Sequence, residues 1–217
     1  MLRPTTPPDF SERTQRQRIV DAMIECCAEK TYAATTIADI VGRARISRTT
    51  FYKHFSEKRA CFDAAVDYCV RELSEVAASA HSETDGPADA TRKAATAVLD
   101  CLSQRPSLAQ MLSGDSIAVD PAVIERYRRA TIPALGALWE RDGDDPEPHL
   151  DPRLAFGQAQ VLLLNQIATG NSVQLPQLLP EIVYLAVSPY GGHEEALRQS
   201  KLAGAETSGA RSGDRPA

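Results

Sequence analysis

The 217-residue sequence predicts an all-α fold, and three observations carry the prediction. Apolar residues recur at helical spacings of three and four through most segments. No run alternates with the period of two that a half-buried strand requires. The breaks between segments coincide with helix caps, prolines and glycine-bearing turns. With 43% hydrophobic residues, a chain of this length can bury a sizeable core, as one large domain or two small ones.

The formal net charge of −5 argues against indiscriminate nucleic-acid binding, but the charge is unevenly distributed. Residues 1–60 hold 11 Lys+Arg against 7 Asp+Glu, whereas residues 61–217 hold 13 against 22. A basic module therefore precedes an acidic one. The five cysteines include no CxxC pair, and the N-terminus has no apolar stretch resembling a signal peptide, so a reducing cytoplasm is expected. Leu154 to Pro180 carries no charge, but Gln158, Gln160, Asn165, Gln166, Asn171 and two prolines interrupt it. That reads as a buried helix with its exit loop, not a membrane span. The histidines His54, His81, His149 and His193 are scattered without ligand spacing, and no nucleophile and base are arrayed together. Neither an enzyme nor a metal or cofactor site is expected.

Taken in order, residues 1–10 read as a mobile arm, with Ser11 capping a first helix to about Glu29. Ile19, Met23 and Cys26 or Cys27 form its apolar face, and Arg13, Arg16 and Arg18 meet either phosphate or solvent. Thr36, with Asp39 three residues on, caps a short helix bearing Ile37, Ile40 and Val41 on one face. Ala44 to Ile46 break it. Ser47 caps a second short helix whose Phe51 and Phe55 point inward, leaving Arg48, Thr49, Thr50, Tyr52, Lys53 and His54 outside. Ser56 is expected to cap a long helix to about Ala80, striped by Phe62, Val66, Cys69, Leu73 and Val76. A loop at 81–87 precedes a helix from Ala88 to Arg105 and a brief one from Pro106 to Leu112. SGDS breaks the chain, and Pro121 opens a helix of about twenty residues kinked by Pro133. Beyond the polar loop at 141–152, Arg153 to Thr169 and Leu178 to Val187 are the most apolar helices, and the chain after Ser200 reads as a disordered tail.

The stretch from Thr35 to Lys58, TTIADIVGRARISRTTFYKHFSEK, is thus a helix-turn-helix running straight into a long helix. It resembles the TetR family of bacterial transcriptional regulators. Thr36-Ile37, Ala44, Ile46-Ser47, Thr50-Phe51-Tyr52-x-His54-Phe55 and Lys58 all fall where that family has them. The resemblance covers about a quarter of the chain, and the remainder agrees only in length, helix count and apolar closing helices. It implies a DNA-binding domain over residues 11–57 and a helical effector-binding and dimerisation domain over 58–200, with residues 201–217 as the tail. One departure stands out: Arg45 occupies a turn position where the family often has glycine, at a cost of about 1 kcal/mol if its φ is positive.

By the same resemblance Thr36, Thr50, Tyr52 and Lys58 would hold phosphate, while Arg48, Thr49 and Lys53 would read bases, Arg48 by a bidentate bond to guanine. Arg45 would point near the DNA, and His54 would touch phosphate or cap the packing between helices. Phe62, Val66, Cys69, Leu102, Met111, Tyr127, Thr131, Trp139 and Phe156 are candidates to line a cavity for a small apolar or aromatic effector, though each also reads as ordinary core. Leu162, Leu163, Ile167, Leu178, Leu179, Ile182, Val183 and Ala186 are expected to form a homodimer interface matching a palindromic operator. A redox-responsive regulator of the same fold, using cysteines such as Cys61 and Cys69 or Cys26 and Cys27, is the alternative.

Overall fold

Helical periodicity is realised throughout: the computed structural model describes residues 8–80, 85–111, 122–140 and 147–212, and every regular element among them is helical. In chain order these are α1 (Pro8–Ala34), α2 (Ile37–Ala44), α3 (Arg48–His54), α4 (Lys58–Ser79), α5 (Pro87–Gln104) and α6 (Pro106–Met111). There follow α7 (Ala122–Trp139), α8 (Pro152–Ala168), a 3-10 helix (Ser172–Leu178) and α9 (Leu179–Ser212). The expectations for residues 1–7, 81–84, the SGDS break, Pro121, 141–146 and 213–217 fall outside the described residues.

Helix α1 packs on α2, α4 and α6, so the N-terminal helices are not a free-standing bead. Helix α5 lies at the centre of the larger part, against α4, α7, α9 and the 3-10 helix, and α8 packs along α9. One apolar cluster runs through all of it, from Ile19 in α1 through Phe51, Phe62, Leu99 and Met111 to Ala203 in α9. Phe51, Phe62 and Met111 are completely buried, each contributing about 1.5–3 kcal/mol relative to exposure.

Several boundaries differ from the sequence expectation. Helix α1 starts at Pro8, within the expected arm, because proline suits a first helical turn; Ser11 is inside the helix and does not cap it. Helix α4 is preceded by Glu57 at its N-cap, not Ser56, and Glu57 makes no side-chain cap bond. Helix α7, by contrast, runs through Pro133 over the span expected for it. The largest difference is at the C-terminus, where Val187 and Ser200 end nothing: α9 passes Pro189, breaks at Gly192 (φ 74°) and continues to Ser212. Local composition hides the reason. Ala203 is fully buried, Gln199 is 2% exposed, and Arg92 of α5 reaches forward to Gln199 Oε1 at 3.0 Å and to the Glu206 carboxylate. Arg92 also pairs with Asp89, whose second oxygen takes Lys93 at 3.0 Å. Burial opposes the charged form of Asp89, but those cations and the Asp85 N–H outweigh it and hold its carboxyl below the usual range.

Two non-glycine residues among those described have positive φ, and they bracket α2. Arg45 (φ 52°, ψ 50°) closes a Schellman turn in which Ile46 N–H donates to the Val41 carbonyl at 3.1 Å and Arg45 N–H to the Gly42 carbonyl at 3.2 Å. The departure from glycine therefore leaves the turn geometry intact. Thr31 (φ 71°, ψ 160°) interrupts α1 in a region that β-branched residues strongly avoid. Replacing Thr31 with glycine relieves that strain at the expense of unfolded-chain entropy. The expected outcome is a net gain of about 1–2 kcal/mol, read as a higher urea midpoint at unchanged slope.

Candidate nucleic-acid interface

The helix-turn-helix is assembled by capping bonds that the sequence dictates. Thr36 and Asp39 form a reciprocal capping box: Asp39 N–H donates to Thr36 Oγ1 at 3.2 Å and Thr36 N–H to Asp39 Oδ2 at 2.9 Å. Asp39 also takes Lys30 Nζ of α1 at 2.7 Å, and Arg43 reaches Glu25 at 3.0 Å and Glu29, so α2 is fastened to α1 at both ends. Ser47 Oγ accepts from Thr50 N–H at 3.0 Å and starts α3. Phe51 and Phe55 are buried with ring centroids 5.9 Å apart, as their four-residue spacing requires.

That packing leaves Arg48, Thr49, Tyr52 and Lys53 exposed together on one face of α3, with Thr50 and His54 half-buried at its edges. Tyr52 is 51% exposed although its ring meets Phe51 edge-on. The Thr50 hydroxyl is engaged with Ser47 Oγ at 2.9 Å, and the Thr36 hydroxyl donates to Asp39 at 2.8 Å, so both are committed to capping. Arg45 is exposed beside the turn.

Three cations do work that the sequence did not announce. Arg18 donates to the Ala44 carbonyl and, at 3.3 Å, to that of Arg45, so it caps the end of α2 instead of lying on a solvated face. Arg16 lies 4.9 Å above the Phe55 ring; the side chain of Arg13 lies outside the described residues. Lys58 Nζ donates to the carbonyls of Tyr32 at 2.9 Å and Thr35 at 2.8 Å and sits 4.2 Å from the centroid of the Tyr32 ring. Two of its three donors are thus spent joining α4 to the end of α1, and the third is not used by these bonds. Helix ends with unpaired carbonyls invite such cations, but the pairings span 23 to 27 residues and no local pattern reveals them.

The other expected sites are redistributed. Phe62, Val66, Cys69, Leu102 and Met111 are buried in the common core, with Tyr127 packed against it. Trp139 also packs against it, stacking on Tyr190 of the C-terminal helix at 6.2 Å and donating to Thr91 Oγ1 at 3.3 Å. Thr131 and Phe156 are half-buried. Of the expected interface residues, Ile167, Leu179, Ile182 and Val183 are 8% exposed or less and belong to the interior. The apolar period marked the inward face of these helices. Leu162, Leu163, Leu178 and Ala186 are half-buried. Other apolar residues are exposed, among them Val173 at 75%, Leu154 at 60%, Val161 at 57%, Leu202 at 44% and Leu197 at 40%. As for thiol chemistry, burial pushes the thiols up to about 11 for Cys27 and about 12 for Cys61 and Cys69, and burial also raises that of Cys26. Raised in this way, these thiols are held in the protonated form, which disfavours thiolate chemistry.

A helix pair joined by a left-handed turn, with a polar second helix offered to solvent, defines the helix-turn-helix class. The sequence model described as "Bacterial regulatory proteins, tetR family" matches residues 19–65. An uncharacterized HTH-type transcriptional regulator, YerO of Bacillus subtilis (strain 168), is 38% identical over 56 residues, which is 26% of this chain and 19% of that protein. The match thus spans about a fifth of that relative's length. Among solved structures, a fatty acid degradation regulator, FadR from Bacillus halodurans, superposes with a TM-score of 0.65 at 15% identity, covering 85% of this chain and 97% of its own. FadR from Bacillus subtilis in complex with stearoyl-CoA gives 0.66 at 17% identity over 79% and 97%. Residues 19–65 therefore match the DNA-binding segment of the tetR family of bacterial regulatory proteins, and the helical arrangement of the whole chain is like that of the solved regulators. Among its described residues no helix is long and apolar enough to cross a membrane.

Asp39 ties the module together and titrates accordingly. The hydrogen bond from Lys30, then those from Thr36, hold its carboxyl well below the usual range. A depressed carboxylate contributes stability above its unfolded pKa of about 4 and loses it as pH falls toward the folded value. Asp39→Asn is therefore expected to unfold at lower temperature than the parent at neutral pH. The gap in Tm narrows once the pH drops below about 4, as a pH series of thermal melts would record.

Proposed function

We propose that the protein is a homodimeric, sequence-specific DNA-binding transcriptional regulator, a repressor released from a palindromic operator by a small apolar or aromatic ligand. The observation that carries the DNA-binding part is the exposed face of α3, on which Arg48, Thr49, Tyr52 and Lys53 lie together in a basic segment of an otherwise acidic chain. A helix of this width enters the major groove, where Arg48 and Lys53 meet base edges and Tyr52 and the spare Lys58 donor meet phosphate. The module runs from α1 to Glu57, and the helices from Lys58 onward carry the ligand and the partner subunit.

Release follows from the attachment of α4. Its first residue is bonded to the end of α1, so a ligand that favours one arrangement of α4 shifts the spacing of the two recognition helices in a dimer. The FadR neighbour is in complex with stearoyl-CoA, whose stearoyl chain, though not its anionic CoA part, is an apolar body of the kind proposed. For the dimer, the outward stripe of α8 is the better candidate than the residues first expected. Leu154, Gln158, Val161, Asn165 and Ala168 are all exposed at alternating spacings of four and three, the seam that pairs helices.

Two measurements bear on this reading. Footprinting with Arg48→Ala is expected to relax the sequence preference by about 1–3 kcal/mol while non-specific affinity and its salt slope change little. An unchanged preference removes Arg48 from base reading. In sedimentation, the parent is expected to run as a dimer and Val161→Asp as a monomer with unaltered helical content; a parent that is monomeric at micromolar concentration contradicts the dimer.

A further inference from the structure

Among the described residues, Tyr127 carries the one side-chain polar atom that is fully buried without a hydrogen-bond partner, its hydroxyl oxygen. Leaving such a group unpaired is unfavourable, whereas phenylalanine would fill the same space without that cost. The ring packs against the common core from α7, and the hydroxyl lies near Cys69 and Asp67 of α4. A donor held in apolar surroundings without an acceptor points to a partner that the described residues do not supply.

The neighbouring charges decide what that partner is. Arg126, the preceding residue, is occupied by Asp63 at 3.0 Å and Asp67 at 3.3 Å of α4, and Arg105 is paired with Glu72 at 2.5 Å. An anionic ligand would enter beside Asp67 with these cations already neutralised. A cationic ligand would lose its hydration among Cys69 and the apolar side chains around it. Burial pushes the phenol well above its ordinary pKa, so the hydroxyl remains a donor.

We infer that the Tyr127 hydroxyl anchors an interior ligand site between α4, α5 and α7, which takes an uncharged molecule with an apolar body and one hydrogen-bond acceptor, a carbonyl or ether oxygen. This rests on the ligand-released reading above and specifies its ligand. It also gives that ligand a route to the DNA-binding module. Movement of Tyr127 is passed through Arg126 to Asp63, one turn from the start of α4, where Lys58 holds the end of α1.

The test uses the full-length protein with acetophenone and ethylbenzene, two probes matched in size and differing in the ketone oxygen. Thermal unfolding across a concentration series gives the apparent affinity of each. The parent is expected to bind acetophenone about three- to tenfold more tightly than ethylbenzene. Tyr127→Phe is expected to melt no lower than the parent without ligand, to bind ethylbenzene as before and to lose the preference for the ketone. If that preference survives in Tyr127→Phe, the anchor is wrong while the interior site stands. If neither probe shifts the parent, the interior site and the anchor both fall. A lower ligand-free melting temperature for Tyr127→Phe means that the hydroxyl already has a partner inside the protein, which overturns the inference at its premise.

Discussion

The Lys58 ammonium, donating to the carbonyls of Tyr32 and Thr35 beside the Tyr32 ring, fastens the first residue of the long helix to the last turn of α1. Each such charged hydrogen bond contributes about 1.5–3 kcal/mol. Around it the smaller bonds fall into order: the capping box at Thr36 begins one residue past Thr35, and α2 is pinned back to α1 by Lys30 and Arg43. The orientation of α3 is therefore inherited from α4 through a few polar contacts and the buried Phe51, not set by a flexible linker.

Those polar contacts coexist with local strain. Thr31 and Arg45 hold positive φ at either side of α2, and each is answered by neighbours: Thr35 donates from both N–H and hydroxyl to the Thr31 carbonyl, and Arg18 covers the carbonyls of the Arg45 turn. Backbone strain of this kind persists only where surrounding bonds over-determine it. The module is rigid because many short bonds agree on one geometry.

What the sequence made legible was whatever depends on near neighbours. The capping of α2 by Thr36 and Asp39, the start of α3 at Ser47, the inward Phe51 and Phe55 and the solvent face of Arg48, Thr49, Tyr52 and Lys53 all follow from spacings of three and four. The tasks of Arg18 and Lys58 were hidden because their acceptors are carbonyls more than twenty residues away. The face of α8 and α9 that meets solvent is hidden in the sequence for a related reason. Apolar periodicity reports burial without saying whether the cover is the same chain or another, so Ile167 and Val183 looked like an interface and are core. The tail failed by composition: one buried alanine, Ala203, and a carboxylate held by Arg92 outweigh a stretch rich in glycine and serine.

The Arg92 cluster has a consequence for how the chain matures. Its bonds to Gln199 and Glu206 join residues 107 and 114 positions apart, whereas the hydrogen bonds that tie α2 and α3 to α1 and the start of α4 span 42 residues or fewer, with α1 also packed on the later α6. Contacts of short sequence separation form fast, and those that close long loops must wait. The hydrogen bonds of the helix-turn-helix can therefore close during synthesis before α5 meets its C-terminal partner, while the face of α1 that packs on α6 stays uncovered until that helix emerges.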